Sequence, residues 1–389
     1  GELPLSNLRD QFLLRPGTIY LNHGSLGACP RPVFEDYQHY QLELERHPGA
    51  FLGRCSSELL PEARRSLAAY VGADPDDVVY VTNATTGINI VARSLALEPG
   101  DEVLTSDHEY GAMDRTWKFV CAKRGARYVR QPLPLPVASA EQAVEAIWSG
   151  VTARTRVLFL SHITSPTALI LPVAELIRRA RAAGIITVVD GAHAPGQIPL
   201  ALAELGVDYY TGNCHKWMLS PKGSGFLYAR REMQHLLEPL IVSWGWDGDL
   251  AREAGSTHFV DEQQHTGTRD LAAFLAVPAA IEFMEAHDWP SVRAACHALL
   301  RETRERVAEM TGLVPLTPDG PEWYGQMAGL ALPAGDIDDL SRRLRDDYHI
   351  EVPILRWNGA QLARVSVQGY NTRDDLETLV CALRDWLAG

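Results

Sequence analysis

Residues 156–196 read "RVLFLSHITSPTALILPVAELIRRARAAGIITVVDGAHAPG". Two short apolar runs rich in β-branched residues, "RVLFL" and "IITVV", bracket the amphipathic stretch "VAELIRRARAAG". Short, continuously apolar runs predict strands buried on both faces, and apolar residues three and four apart predict a helix between them. The segment is therefore a βαβ unit with parallel strands. Each strand ends in polar residues, Ser161–Thr167 and Asp190–His193. In such sheets ligands bind beyond the carboxyl ends of the strands.

The same alternation extends both ways. Upstream, strands are predicted in 78–85, 101–110 and 127–133, with helices over 86–97, 113–125 and 139–149. Downstream, "VDYYTGNCHK" leads into the turn-rich "SPKGSG" and a strand "FLYAR". Polar clusters again close the predicted strands, at Asn83–Thr86, His108–Tyr110 and Asn213–Lys216. Beyond about residue 275, helical patterns flank strand patterns in "MAGLALP", "IEVPILRW" and "LARVSVQGYN", and a final helix closes the chain. The expected fold class is α/β: a large domain with a mostly parallel sheet flanked by helices (21–270), and a smaller C-terminal α/β domain (271–389). Residues 1–20 are expected to pack on the small domain.

Composition narrows the function classes. The 389 residues are 46 % hydrophobic and 22 % charged, which is ordinary globular usage. A net charge of −13 repels phosphate backbones, so nucleic acid is not an expected partner. No apolar run is long enough to span a membrane. The opening "GELPLSNLRDQFLL" has no basic lead and no long apolar stretch, so no secretory signal is expected. Six scattered cysteines (Cys29, Cys55, Cys121, Cys214, Cys296 and Cys381) form no CxxC pair, which fits a reducing, cytoplasmic setting.

Lys216 stands in "DYYTGNCHKWMLSPKGSGF" (208–226), among aromatic and small residues at a predicted strand end. Burial disfavours an ammonium and frees a nucleophilic amine for a Schiff base with a carbonyl; most lysines, by contrast, are solvated surface residues. Asp190 follows a buried strand and needs a partner. A protonated ring nitrogen is one; a helix end or an ion pair is another. Asn83, Thr85 and Thr86 precede a helix, where a phosphate or simple capping both fit. Tyr110 could stack on a flat ring, and His193 could bond a ring hydroxyl. Arg364 lies in a strand, where a carboxylate clamp or an internal salt bridge would justify it. An anchor lysine, an acid for a ring nitrogen, a phosphate seat, a stacking ring and a carboxylate clamp together match pyridoxal phosphate plus an amino acid.

The motifs "YLNHGSLGACPR" (20–31), "TSDHEYGAM" (105–113), "FLSHITSPTALILP" (159–172), "VVDGAHAPGQIPL" (188–200), "GNCHKWMLSPKGSGFLY" (212–228), "SWGW" (243–246), "GTRD" (267–270) and "RVSVQGYNT" (364–372) occur in this order. On these the chain resembles the class V aminotransferase-like group of fold-type-I pyridoxal phosphate enzymes, nearest to its epimerases. The resemblance implies that Lys216 bonds the cofactor and moves the Cα proton, that Asp190 protonates the ring nitrogen, and that His193 contacts the ring hydroxyl side. It sets Tyr110 at the stacking position, Thr85, Thr86, Asn213, His215 and Ser165 around the cofactor, and Thr268 on the phosphate of a partner subunit in a homodimer with a shared active site. Arg364 would hold the substrate α-carboxylate, with Asn22 and His23 near a small amino-acid or peptide-like substrate. Ala168 stands where a glycine is expected, and residues 350–364 contain none of the mobile cysteine of the desulfurases.

Cα deprotonation leads to epimerisation, β-elimination by a C–S lyase, or transamination. Epimerisation needs a proton donor on each face or a lysine that reaches both; His23, Tyr110 and Lys222 are the candidates for the second. Three rivals fall outside this scheme. A serine hydrolase could use Ser25 in "HGSLG", close to a nucleophile elbow. A zinc protease is opposed by "HEYGA", which lacks the second histidine of HExxH. A protein that binds the cofactor without catalysis is the third.

Overall fold

The protein, described by a computed structural model, is defined over residues 8–247 and 256–389. Residues 1–7 of the N-terminal segment lie outside the described residues. A short strand β1 (Ile19–Tyr20) comes first. Seven strands then build the main sheet: β2 (Val78–Val81), β3 (Glu102–Ser106), β4 (Arg127–Gln131), β5 (Thr155–Ser161), β6 (Ile186–Gly191), β7 (Tyr209–Asn213) and β8 (Gly225–Ala229). Their spatial order is β2-β8-β7-β6-β5-β3-β4, and every pairing is parallel except the two made by β8.

The strands are apolar on both faces because both faces are covered. Alternate residues divide between two cores. Val79, Val103, Val157, Phe159, Val188 and Leu227 pack with residues of the helices Ala84–Ser94 and Gly111–Arg124. Tyr80, Leu104, Leu158, Leu160, Val189 and Tyr210 join a larger core that continues into the C-terminal region. The expected helices and strands of 78–230 are present, with ends shifted by a few residues.

The strand–helix alternation is silent on residues 31–71, which fold as the helices Arg31–Arg46, Pro48–Arg54 and Leu60–Val71. The helical stretch after 271 is broken near Pro278 into Ala272–Leu275 and Val277–Ala286, and both pieces pack on the helices of 31–71. Proline removes a backbone donor and disfavours helix in the residue before it. The 350–357 run splits likewise around Pro353, into β10 (Ile350–Glu351) and β11 (Ile354–Trp357). With β9 (Met327–Leu332) and β12 (Ala360–Ser366), β11 forms an antiparallel sheet of order β11-β12-β9. The helices Trp289–Thr311 and Arg373–Ala388 pack against each other, the first also against β9. β1 pairs in parallel with β10, and Leu8 N–H donates to Gly369 O at 3.0 Å, so residues 8–21 run along the C-terminal segment. Among the described residues, no helix is long and apolar enough to cross a membrane.

Candidate active site

The polar ends of β5, β6 and β7 lie side by side, with Ser161 opposite Asp190 and Gly191 opposite Gly212 in register. Lys216 follows β7 in a tight turn. Two glycines let the chain close on that turn. A Cβ on Gly27 (φ +73°) would stand 2.1 Å from His215 O and 2.9 Å from Lys216 Cα, and one on Gly196 (φ +85°) would stand 2.1 Å from Trp217 O. At both, only glycine combines the left-handed backbone with that approach.

His23 also grips the lysine's backbone. Its Nε2–H donates to Lys216 O at 2.9 Å, and Tyr370 donates to its Nδ1 at 2.9 Å. It is fully buried, and burial pushes its pKa down to about 3. The expectation that His23 could be a proton donor or touch substrate is therefore corrected: both ring nitrogens are committed, and the ring is neutral. Lys222 Nζ is turned to the backbone, donating to Gly27 O at 2.9 Å.

Lys216 is half-buried and densely surrounded by protein. Desolvation, then the charge of Arg364, lowers its pKa from 10.5 to about 8, against the opposing pull of Asp190. Asp190 is 3 % exposed. Burial raises its pKa, while the Ala192 N–H (2.9 Å) and Lys216 favour its ionised form. His193 is held neutral by burial and by the Lys216 and Arg364 charges. Its Nδ1 lies 3.4 Å from Trp217 Nε1, which can only donate, so its proton sits on Nε2.

Arg364 is 6 % exposed, and no ion pair holds it among the described residues. Nη1 donates to Ser165 O (2.7 Å) and Oγ (3.2 Å), Nη2 donates to Ser25 Oγ (2.7 Å), and Nε has no partner. Burial lowers its pKa to about 10. A buried guanidinium beside a second cation, with a donor left over, calls for an anion. Ser165, expected at the cofactor, instead braces this arginine. Ser25 in turn donates to Asn22 Oδ1 at 2.5 Å. The Ser25 hydroxyl is thus engaged by Asn22 and Arg364, and among the described residues no histidine bonds it, which speaks against the hydrolase alternative. Ser25→Ala should weaken the clamp by about 1.5–3 kcal/mol, raising KM roughly 10- to 100-fold with a smaller change in kcat, as steady-state kinetics would show.

Asn213 Oδ1 and Asn83 Oδ1 accept the N–H groups of Ala84 and Thr86 at the start of the helix Ala84–Ser94. The Thr86 hydroxyl is spent locally, 2.9 Å from Thr82 Oγ1 and 3.1 Å from Asn83 Oδ1, so capping accounts for it. The Thr85 hydroxyl takes no part in that cap. His215 Nδ1–H donates to Ser224 O at 2.9 Å and burial holds the ring neutral, so Nε2 is an acceptor and the expected bond to a phosphate is corrected. Tyr110, the residue before the helix Gly111–Arg124, is 47 % exposed and lies within electrostatic reach of Arg364. Thr268 is elsewhere, on a cavity of about 260 Å³ lined by Leu52, Leu60, Trp244 and His265. Ala168 has φ 58°, the left-handed region that accounts for an expected glycine.

Sequence reasoning missed Glu109. It is 5 % exposed, accepts from Ser106 Oγ (2.7 Å) and Ser161 Oγ (2.5 Å), and burial raises its pKa to about 8. Its place between His108 and Tyr110 was the available signal.

A family model for aminotransferase class-V matches residues 19–379. The chain is 41 % identical over 391 residues to an isopenicillin N epimerase of Amycolatopsis lactamdurans, covering 98 % of each. It is 30 % identical over 421 residues to an L-cysteine desulfhydrase-like protein of Epichloe uncinata, covering 95 % of this chain and 92 % of that one. The fold is similar to that of a cysteine desulfurase from Escherichia coli, with a TM-score of 0.83, 23 % identity, and coverage of 100 % and 99 %. The strand-end lysine and aspartate, the buried Arg364 and the match across 19–379 agree: the chain belongs to the aminotransferase class-V family.

Proposed function

We propose that this chain is a pyridoxal phosphate enzyme that moves the Cα proton of an amino-acid substrate, as an epimerase of the isopenicillin N type. The observation that carries this reading is the pairing of two desolvated cations, Lys216 and the buried Arg364, with Asp190 as the nearby acid. Identity of 41 % to a named isopenicillin N epimerase supports the substrate.

The residues present fit the cofactor. Asp190 is a buried carboxylate with one protein hydrogen bond, suited to a ring N–H. His193 Nε2–H suits a ring oxygen, Tyr110 offers a stacking face, and the Thr85 hydroxyl suits the phosphate. The cofactor, when bound, would supply an electron sink for the Cα electron pair. Arg364 orients the substrate carboxylate, Lys216 accepts the α-proton, and Asp190 keeps a positive charge on the ring nitrogen. We read 21–270 as the cofactor-binding unit, 271–389 as the smaller one, and residues 1–20 as an arm of the latter.

The chain is further proposed to be a cytoplasmic homodimer. Six free thiols support a reducing compartment. Exposed Ile241, Val242, Trp244 and Trp246, beside the Thr268 cavity, support a subunit contact through which Thr268 serves the partner's site.

The test is incubation of the cofactor-loaded enzyme with isopenicillin N in deuterated water. Deuterium at Cα with inversion is expected. Parallel incubation with L-cysteine addresses the relatives of desulfhydrase type; pyruvate from cysteine without inversion of isopenicillin N would replace epimerisation by C–S lysis. A pH prediction accompanies it. The amine of Lys216 reacts only when unprotonated, so capture of cofactor by the apoprotein should slow about tenfold per pH unit below about 8 and level off above it, followed as yellow absorbance.

A further inference from the structure

Inversion at Cα needs a proton delivered to the face opposite Lys216, and this inference rests on the epimerase reading. We propose that the phenol of Tyr110 is that second-face acid. Tyr110 follows the loop after β3, immediately before the helix Gly111–Arg124. Its ring is 47 % exposed, and its hydroxyl has no hydrogen-bond partner among the described residues. It lies within electrostatic reach of Arg364, the group that holds the substrate's carboxylate and so sets where Cα sits.

The other acids around the site are engaged. Glu109 is buried and holds the Ser106 and Ser161 hydroxyls. His23 is tied to Tyr370 and to Lys216 O. Burial and neighbouring cations keep His193 and His215 as neutral rings, which are poor acids. The Lys222 ammonium is tied to Gly27 O. Tyr110 combines an untied O–H with a position within electrostatic reach of the carboxylate clamp.

The step balances without a further reactant. Lys216 takes the α-proton from one face, and the electron pair left on Cα takes the proton of the Tyr110 O–H on the other. The O–H bond breaks as the new C–H bond forms; the Lys216 ammonium then releases its proton to solvent as the phenolate takes one up, so no net proton is gained or lost. In the reverse direction the two residues exchange roles.

Tyr110→Phe removes only the hydroxyl and keeps a stacking ring. With isopenicillin N and its epimer in deuterated water, the variant should keep its yellow absorbance. It should exchange the Cα proton of one epimer within about threefold of the wild-type rate, with configuration retained. Inversion should fall at least about 100-fold, and the other epimer should stop exchanging. Inversion within threefold of wild type would overturn the proposal, since lysine or water would then serve both faces. An equal loss of exchange from both epimers would overturn it too, by making the hydroxyl a binding group. A wild-type enzyme that exchanges neither epimer would instead sink the epimerase reading itself.

Discussion

Lys216→Ala is expected to lower kcat/KM by more than about 10⁴-fold and to abolish the yellow absorbance of cofactor-loaded protein, because in the proposed mechanism one amine serves as both cofactor anchor and proton acceptor. Absorbance spectroscopy and deuterium exchange check the two roles separately. The same position should also limit stability. The folded-state pKa of about 8 lies below the ordinary 10.5, so below pH 8 the fold carries a charged amine it disfavours. That penalty, on the order of 2–3 kcal/mol, is fully present below pH 8, shrinks as pH rises from 8 to 10.5, and vanishes above. Apoprotein carrying Lys216→Met, which keeps the side-chain volume, should melt above the wild-type apoprotein at pH 7 and lose that advantage by pH 10.5. Calorimetry across this range would refute the account if the gap did not close.

Arg364→Lys should reduce kcat/KM by roughly 10²- to 10³-fold, mostly through KM, because an ammonium cannot hold a carboxylate with a two-pronged fork. The loss should be specific. A decarboxylated substrate analogue, bound weakly by wild type, should bind the variant almost as well as the parent compound. Arg364→Met goes further, removing a charge that depresses the Lys216 pKa. The pH midpoint for cofactor capture should then move upward from about 8. An unchanged midpoint would mean that Arg364 does not act on the lysine electrostatically.

Lys216 and Asp190 were legible because their signal is local. A buried strand followed by a polar residue or a tight turn is written in a few consecutive positions, and the parallel sheet carries those positions to one edge. Thr86 shows the limit of such reading. Its neighbours Thr82 and Asn83 use up its hydroxyl within one helical turn, a choice between capping and phosphate binding that spacing alone leaves open. The helices of 31–71 were hidden for another reason: they follow no strand–helix alternation, and they find their packing partners in 272–286.

By itself, the sequence determined the α/β class, the parallel sheet and the strand-end cluster, since apolar periodicity and local turn residues dictate these. Only the tertiary structure decided which polar groups remain free to react. His23 is consumed by a tyrosine 347 positions away, and Ser25 is assigned to an arginine 339 positions away. A buried polar atom must find a partner, and that partner is set by which distant segments the fold brings within hydrogen-bonding distance.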